Sequence, residues 1–212
     1  MADVKRPYDS RSRRERARAR RSSVVLAARD LFERDGFRQT TIVAVAEAAG
    51  VSAESVYKHF GSKANVAKAV FDLVLAGDDE PVPIAQRAAV QTMRDEPDVR
   101  AKITLFVDGL AQRQARSASV QILIRDGRHV DDALAPVWAT LNDEGLTGMT
   151  MLGQHLLDTG RLREGIDLPE VRDVLWNYLA IDHYERLVLC QGWQLERYTQ
   201  WLTQAITAAL CP

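Results

Sequence analysis

The sequence predicts an all-α fold of about nine helices, a three-helix head followed by a larger helical body. Three observations predict it. Apolar residues recur at helical spacing, beginning with Val24, Val25, Ala28, Leu31 and Phe32. The stretch Thr40 to Lys63 reads as two short helices joined by a tight turn at Ala49-Gly50-Val51. Beyond Pro83 the pattern is helical throughout, interrupted only by capping and breaking residues.

Composition narrows the class. With 212 residues, 46% hydrophobic and 27% charged, the chain resembles ordinary globular proteins of one or two domains. No run is long and apolar enough for a membrane span, and the basic N-terminus has no apolar stretch behind it that would make a secretory signal. Cys190 and Cys211 form no disulfide framework, so reduced thiols and a cytoplasmic location are expected. Charge is unevenly placed: residues 1–70 carry a balance of +7 and the remainder −8. A basic head on an acidic body suits a polyanion partner, and a basic solubilising tail is the plainer alternative.

In chain order, residues 1–20 read as a basic arm, with residues 1–12 expected to be disordered. Seven arginines at 11, 13, 14, 16, 18, 20 and 21 can reach several phosphates. A membrane-surface role needs an apolar face, and Ala17 and Ala19 are all this run offers. The first helix ends at Asp35-Gly36, with Phe37 folding back on its core. Thr40 or Thr41 caps the second helix, whose inner face is Ile42, Val45, Ala46 and Ala49. Gly50 permits the turn, Ser52 caps the third helix, and Val56 and Phe60 face inward. That leaves Ala53, Glu54, Ser55, Lys58 and His59 free to meet a groove, with Tyr57 at the border.

These residues resemble the DNA-binding domain of the TetR family of bacterial transcriptional regulators. The resemblance covers about residues 20–70 and rests on AGVS, then VYKHF, then Lys63. It implies that Ala53, Glu54 and Ser55 lie nearest base edges. It further implies that Tyr57, Lys58 and His59 meet backbone or flanking bases, and that Thr41 and Lys63 meet phosphates. Many relatives carry glycine in place of Glu54 and threonine in place of Ser55. Glu54 either accepts from a cytosine amine or simply favours the helix N-terminus.

The fourth helix is expected from about Ser62 to Ala76, with Val66, Val70, Leu73 and Val74 inward. A polar loop at 77–83 separates it from a helix at Ile84 to Arg94. Asp98 caps the next, followed by a separate short apolar helix at 117–126. Asp131 or Asp132 caps a long helix to about Asp158, and Leu168-Pro169-Glu170 opens another that runs to Gly192. This last segment is apolar on both sides, so two surfaces bury it. The resemblance implies pairing of the last two helices with a second copy. LWNYLAIDHYERLVL and GWQLERYTQWL also look like the C-terminal domain of a TetR subgroup common in actinobacteria.

No nucleophile elbow, zinc-protease, phosphate-loop, dinucleotide or paired-cysteine motif is present, so no enzyme activity, cofactor or metal is expected. His129 beside Asp131 and Asp132 reads as part of a cap, and His155 and His183 as core histidines. The family implies an effector cavity in the helical body. Phe106, Leu110, Leu123, Trp138, Met149, Leu152, His155, Trp176 and Tyr178 are its candidate lining, and Asp108 and Asp182, if buried, would favour a cation. The expected organisation is a helix-turn-helix domain at 21–66 and an effector-binding and dimerisation domain at 67–212. The expected partners are double-stranded DNA, a second copy and an unidentified small molecule. A helical carrier or enzyme with an incidental basic head is the alternative, and an architectural DNA-binding dimer a third.

Overall fold

The computed structural model describes residues 10–77 and 86–212, with side chains from residue 15 onward in the first segment. The expectations for residues 1–9, for most of the loop at 77–83 and for a helix start at Ile84 lie outside these residues. So do the side chains of Arg11, Arg13 and Arg14. Among the described residues the chain is all-α, with ten α-helices and one π-helical turn. It divides into two compact units between Val70 and Phe71. None of the helices described is long and apolar enough to cross a membrane.

The first unit contains α1 (Ser10–Gln39), α2 (Ile42–Ala49), α3 (Ala53–Phe60) and the start of α4 (Lys63–Ala76). Gly36 interrupts α1 with φ 76° and ψ 169°, and one further turn runs on to Gln39. Only glycine adopts that backbone without strain. The interruption turns Phe37 back onto Phe32, with ring centroids 5.6 Å apart. Val25, Ala28, Val45, Val56 and Val66 meet in a core where none is more than 1% exposed. Each valine buried there contributes on the order of 1.5–3 kcal/mol.

The second unit holds the rest of α4 and then α5 (Ala88–Asp95), α6 (Val99–Gly127) and α7 (Ala135–Leu157). These are followed by α8 (Leu168–Leu179), α9 (Ile181–Tyr184), the π-turn Glu185–Cys190 and α10 (Leu195–Leu210). Its core gathers Ile103, Val107, Leu156, Val171, Leu175, Ile181, Leu202 and Ile206. Three expectations need correction. The separate helix at 117–126 does not exist, because α6 is continuous from its Asp98 cap to Gly127. Its polar middle is buried rather than looped, since Gln114 and Ser117 find partners there. The long helix starts at Ala135 with Pro136 in its first turn, and Asp131 instead caps the preceding turn at the Ala133 N–H.

The third correction concerns the helix expected to run unbroken toward Gly192. It stops at Leu179, where Ala180 takes ψ 131°. No glycine or proline marks the break. The freed Leu179 carbonyl accepts from Gln114 Nε2 at 3.3 Å, and the Asn177 carbonyl accepts from His183 Nε2 at 3.1 Å. Tertiary partners thus satisfy the groups the helix gives up.

Candidate functional site

Between α2 and α3 the backbone turns in three residues. The Thr41 hydroxyl accepts from the Ala44 N–H at 3.1 Å and starts α2. Gly50, at φ 67° and ψ 34°, ends it in the left-handed region and donates to the Ala46 and Glu47 carbonyls. The Ser52 hydroxyl accepts from the Ser55 N–H at 3.1 Å and starts α3. Val56 and Phe60 anchor α3 inward, and the Arg21 guanidinium lies 5.6 Å from the Phe60 ring centroid.

This anchoring decides what α3 presents. Glu54, Tyr57, Lys58 and His59 are exposed, while Ala53 and Ser55 are half-buried. The Tyr57 ring, 54% exposed, is a large apolar surface left in water. His59 Nδ1 donates to the Ser55 carbonyl at 2.7 Å, which leaves Nε2 as the free ring nitrogen. Lys63 does something the sequence reading missed. Its ammonium donates to the Phe37 carbonyl at 2.8 Å and the Thr40 carbonyl at 3.0 Å, and sits 4.2 Å from the Phe37 ring centroid. Carbonyls beyond the end of a helix attract a cation, so Lys63 clamps the end of α1 to the start of α4 instead of extending outward.

The helical body encloses a cavity of about 380 Å³, a size suited to a small ligand. Of the residues expected to line it, Phe106, Leu110, Met149, Leu152 and His155 do so. The others lie off its wall. Leu123 is half-buried off the wall, Trp138 stacks on the Arg128 guanidinium at 5.2 Å, and Trp176 is 42% exposed. Tyr178 belongs to an aromatic cluster with His183 and Trp201, at 5.6 Å and 6.1 Å. Nor do the acids favour a cation: Asp108 is exposed and Asp182 pairs with Arg125 at 3.1 Å, neither on the cavity wall. Arg125 also holds Glu185 at 2.7 Å, which ties α6 to the π-turn.

The polar lining was missed. Arg113, Gln114, Ser117 and Gln121 share one side of α6, and Gly145 and Gly148 open the facing wall on α7. Gln114 is engaged at both ends of its amide: Nε2 donates to the Leu179 carbonyl and Oε1 accepts from the Tyr198 hydroxyl at 3.0 Å. Burial, only partly offset by that hydrogen bond, pushes the Tyr198 hydroxyl well above an ordinary phenol, so it stays neutral. Lys102, 3% exposed, donates to the Met93 and Arg94 carbonyls at the end of α5 and to His155 Nε2 at 3.0 Å. Its three donors are therefore occupied without a carboxylate. Desolvation, then the Lys102 and Arg94 charges, push the His155 imidazole below its ordinary value. Two glycines inside a helix, each costing about 1 kcal/mol against alanine, are the sequence signal that could have located this wall.

Among the described residues no cluster of three or more metal-ligating side chains exists. Cys190 is exposed, whereas Cys211 is buried and burial pushes its thiol up, away from thiolate reactivity.

Residues 24–70 match the model of bacterial regulatory proteins of the tetR family. No curated protein matches the chain in sequence. Among solved structures, the regulator FadR from Bacillus subtilis in complex with stearoyl-CoA is similar at 15% identity and TM-score 0.69, over 89% of this chain and 98% of that one. NalD, the secondary repressor of the MexAB-OprM multidrug efflux pump in Pseudomonas aeruginosa, is similar at 17% identity and TM-score 0.65, over 92% and 98%. A TetR transcription regulator from Haloarcula marismortui is similar at 16% identity and TM-score 0.63, over 90% and 98%. The helix-turn-helix segment thus matches the DNA-binding domain of tetR-family regulatory proteins, and the chain shares its fold with the solved structures named.

Proposed function

We propose that the chain is a dimeric repressor that grips a palindromic operator with two copies of α3 and lets go when a small molecule occupies the body. The observation that carries the DNA half is the exposed polar face of α3, with Val56 and Phe60 holding the opposite face to the core. Glu54 is the first-turn side chain most able to reach a base edge, with the half-buried Ala53 and Ser55 beside it. Thr41, Tyr57, Lys58 and His59, with the arginines of α1, serve the phosphate backbone. Lys63 supports this surface from behind as a clamp.

The cavity supports the effector half. Phe71 and Leu75 line it, and both belong to α4, the helix that begins at Lys63. A ligand that displaces them acts on that helix, and two heads no longer matched to their half-sites lose the benefit of joint engagement. The relative holding stearoyl-CoA and the repressor NalD support this reading by analogy of fold. On it the protein is a cytoplasmic binding protein, not an enzyme.

A gel shift with promoter DNA from beside its own gene tests the reading. The expected result is one specific complex whose affinity falls steeply with salt, because several phosphates are neutralised. A complex that competitor DNA of unrelated sequence removes equally well would refute it.

A further inference from the structure

The cavity contains a charged level that its apolar walls do not explain. Along α6, Leu105, Phe106 and Leu110 line one stretch, and Arg113, Ser117 and Gln121 the next. Phe106 and Arg113 are about 10 Å apart along the helix axis at 1.5 Å per residue. Ser117 is already committed, donating to the Arg113 carbonyl at 2.9 Å.

The Arg113 guanidinium is not committed. It makes no hydrogen bond or ion pair with any described residue. Desolvation, followed by repulsion from Arg116, lowers it to about 10, so it is still a cation at neutral pH. A shielded cation with no partner is costly, and an anion is what relieves it. Gly109 makes its position possible. A Cβ there would stand 2.9 Å from Arg113 Nη1, so the missing side chain lets the guanidinium lie back along α6. The surrounding charges agree in sign. Arg94 also lines the cavity, and the Lys102 ammonium is fixed behind His155. Glu144, the one acid in the described lining, is exposed and already has a partner.

We infer that the cavity takes a small molecule with an apolar body and one anionic head, the head seated on Arg113 and the body running toward Phe106, Met149 and Leu152. A carboxylate or a phosphate monoester supplies the required chemistry, since either meets a guanidinium through two parallel hydrogen bonds. The inference names the ligand class of the cavity that the effector reading invokes, and rests on that reading only for its consequence at DNA.

The test uses four probes with the same alkyl chain: decanoate, decyl phosphate, decanol and decyltrimethylammonium. Binding to the full-length protein is followed by titration calorimetry, with far-ultraviolet circular dichroism checking each variant's fold. At least one of the two anions is expected to bind at least about tenfold more tightly than decanol or the ammonium. Which anion binds better identifies the head. Arg113→Met should erase the anion's advantage while decanol binding persists. Gly148→Leu should remove binding of anion and alcohol alike, because the space at Gly148 is empty to 4 Å and the new side chain fills the cavity. Equal binding of the ammonium, unchanged anion affinity in Arg113→Met or in Gly148→Leu, or no binding of either anion overturns the inference. A parallel gel shift separates the two readings. Arg113-dependent binding without DNA release retains the ligand class and removes the effector role. Release by the ammonium alone does the reverse.

Discussion

Glu54 sits in the first turn of α3, exposed, two residues after the Ser52 cap. An acid there gains about 0.3–1 kcal/mol from the helix N-terminus, and the same charge repels a DNA backbone. The residue is therefore retained at a cost to affinity unless it reads something, and a cytosine amine is the base-edge donor it fits. Glu54→Gln should change preference at one base pair in each half-site, measured by competition among operators substituted singly at every position. A uniform rise in affinity for all of them would show that Glu54 only repels. His155 gives a second test at this scale. Its pKa in the fold lies below its unfolded value, so the unfolded chain binds the proton more readily. The stability this contributes is complete above the unfolded value and is lost as pH falls through it toward the folded one. Melting temperature should therefore drop on acidification from about pH 7 to 5. His155→Gln, which can still accept from Lys102, should show a shallower drop, and an identical slope would refute the linkage. Glu54 was readable from sequence because exposure on a short capped helix follows from spacing. The partner of His155 was not, because Lys102 is 53 residues away and approaches through tertiary packing.

The elements divide by where their determinants lie. The helix-turn-helix was legible because Thr41, Gly50 and Ser52 act on backbone groups within a few residues of themselves. The core stripe of α1 was legible for the same local reason, and Val24, Val25, Ala28, Leu31 and Phe32 are all buried. The continuity of α6 and the break after α8 were not legible, and one side chain explains both. Gln114 is polar at a position where the sequence suggests a loop, yet it is 3% exposed and holds the Leu179 carbonyl and the Tyr198 hydroxyl. The part of the cavity that was legible consists of large apolar residues at helical spacing. Its charged level was hidden because nothing local shows that Arg113 turns inward. Gln114→Leu should leave two buried groups without partners, costing about 1–3 kcal/mol. In a chain of this size that corresponds to a fall of roughly 2–4 °C in melting temperature per kcal/mol. Amide exchange should accelerate first around residues 177–183, where the break depends on Gln114. Uniform acceleration, or no loss of stability, would mean that Ala180 takes its conformation for another reason.

At the scale of the molecule the proposed repressor needs two heads, and on that proposal exposed apolar residues of α8 and the π-turn are the surface that would join them. Trp176 is 42% exposed on α8, whose other side is fully buried at Val171 and Leu175, and Leu189 is 54% exposed in the π-turn that follows the buried Ile181 of α9. A segment apolar on its outer side as well as its inner one gains by meeting a second copy of itself, since self-association removes that surface from water. Leu189 suits a test because it can change without disturbing the core. Leu189→Arg should leave circular dichroism unchanged and convert the protein to monomers in sedimentation velocity. The consequence at DNA follows from effective concentration. Each head alone binds a half-site weakly, and linking two raises avidity by about 10²–10⁴-fold with no new contact. The variant should therefore lose at least about 100-fold in affinity for the whole palindrome while its affinity for an isolated half-site stays the same. Equal loss on both DNAs would indicate a damaged head, and a dimer persisting in solution would move the interface away from the π-turn. A monomer that keeps full affinity for the palindrome would remove joint engagement from the mechanism, and with it the argument that a ligand acts by mismatching the two heads.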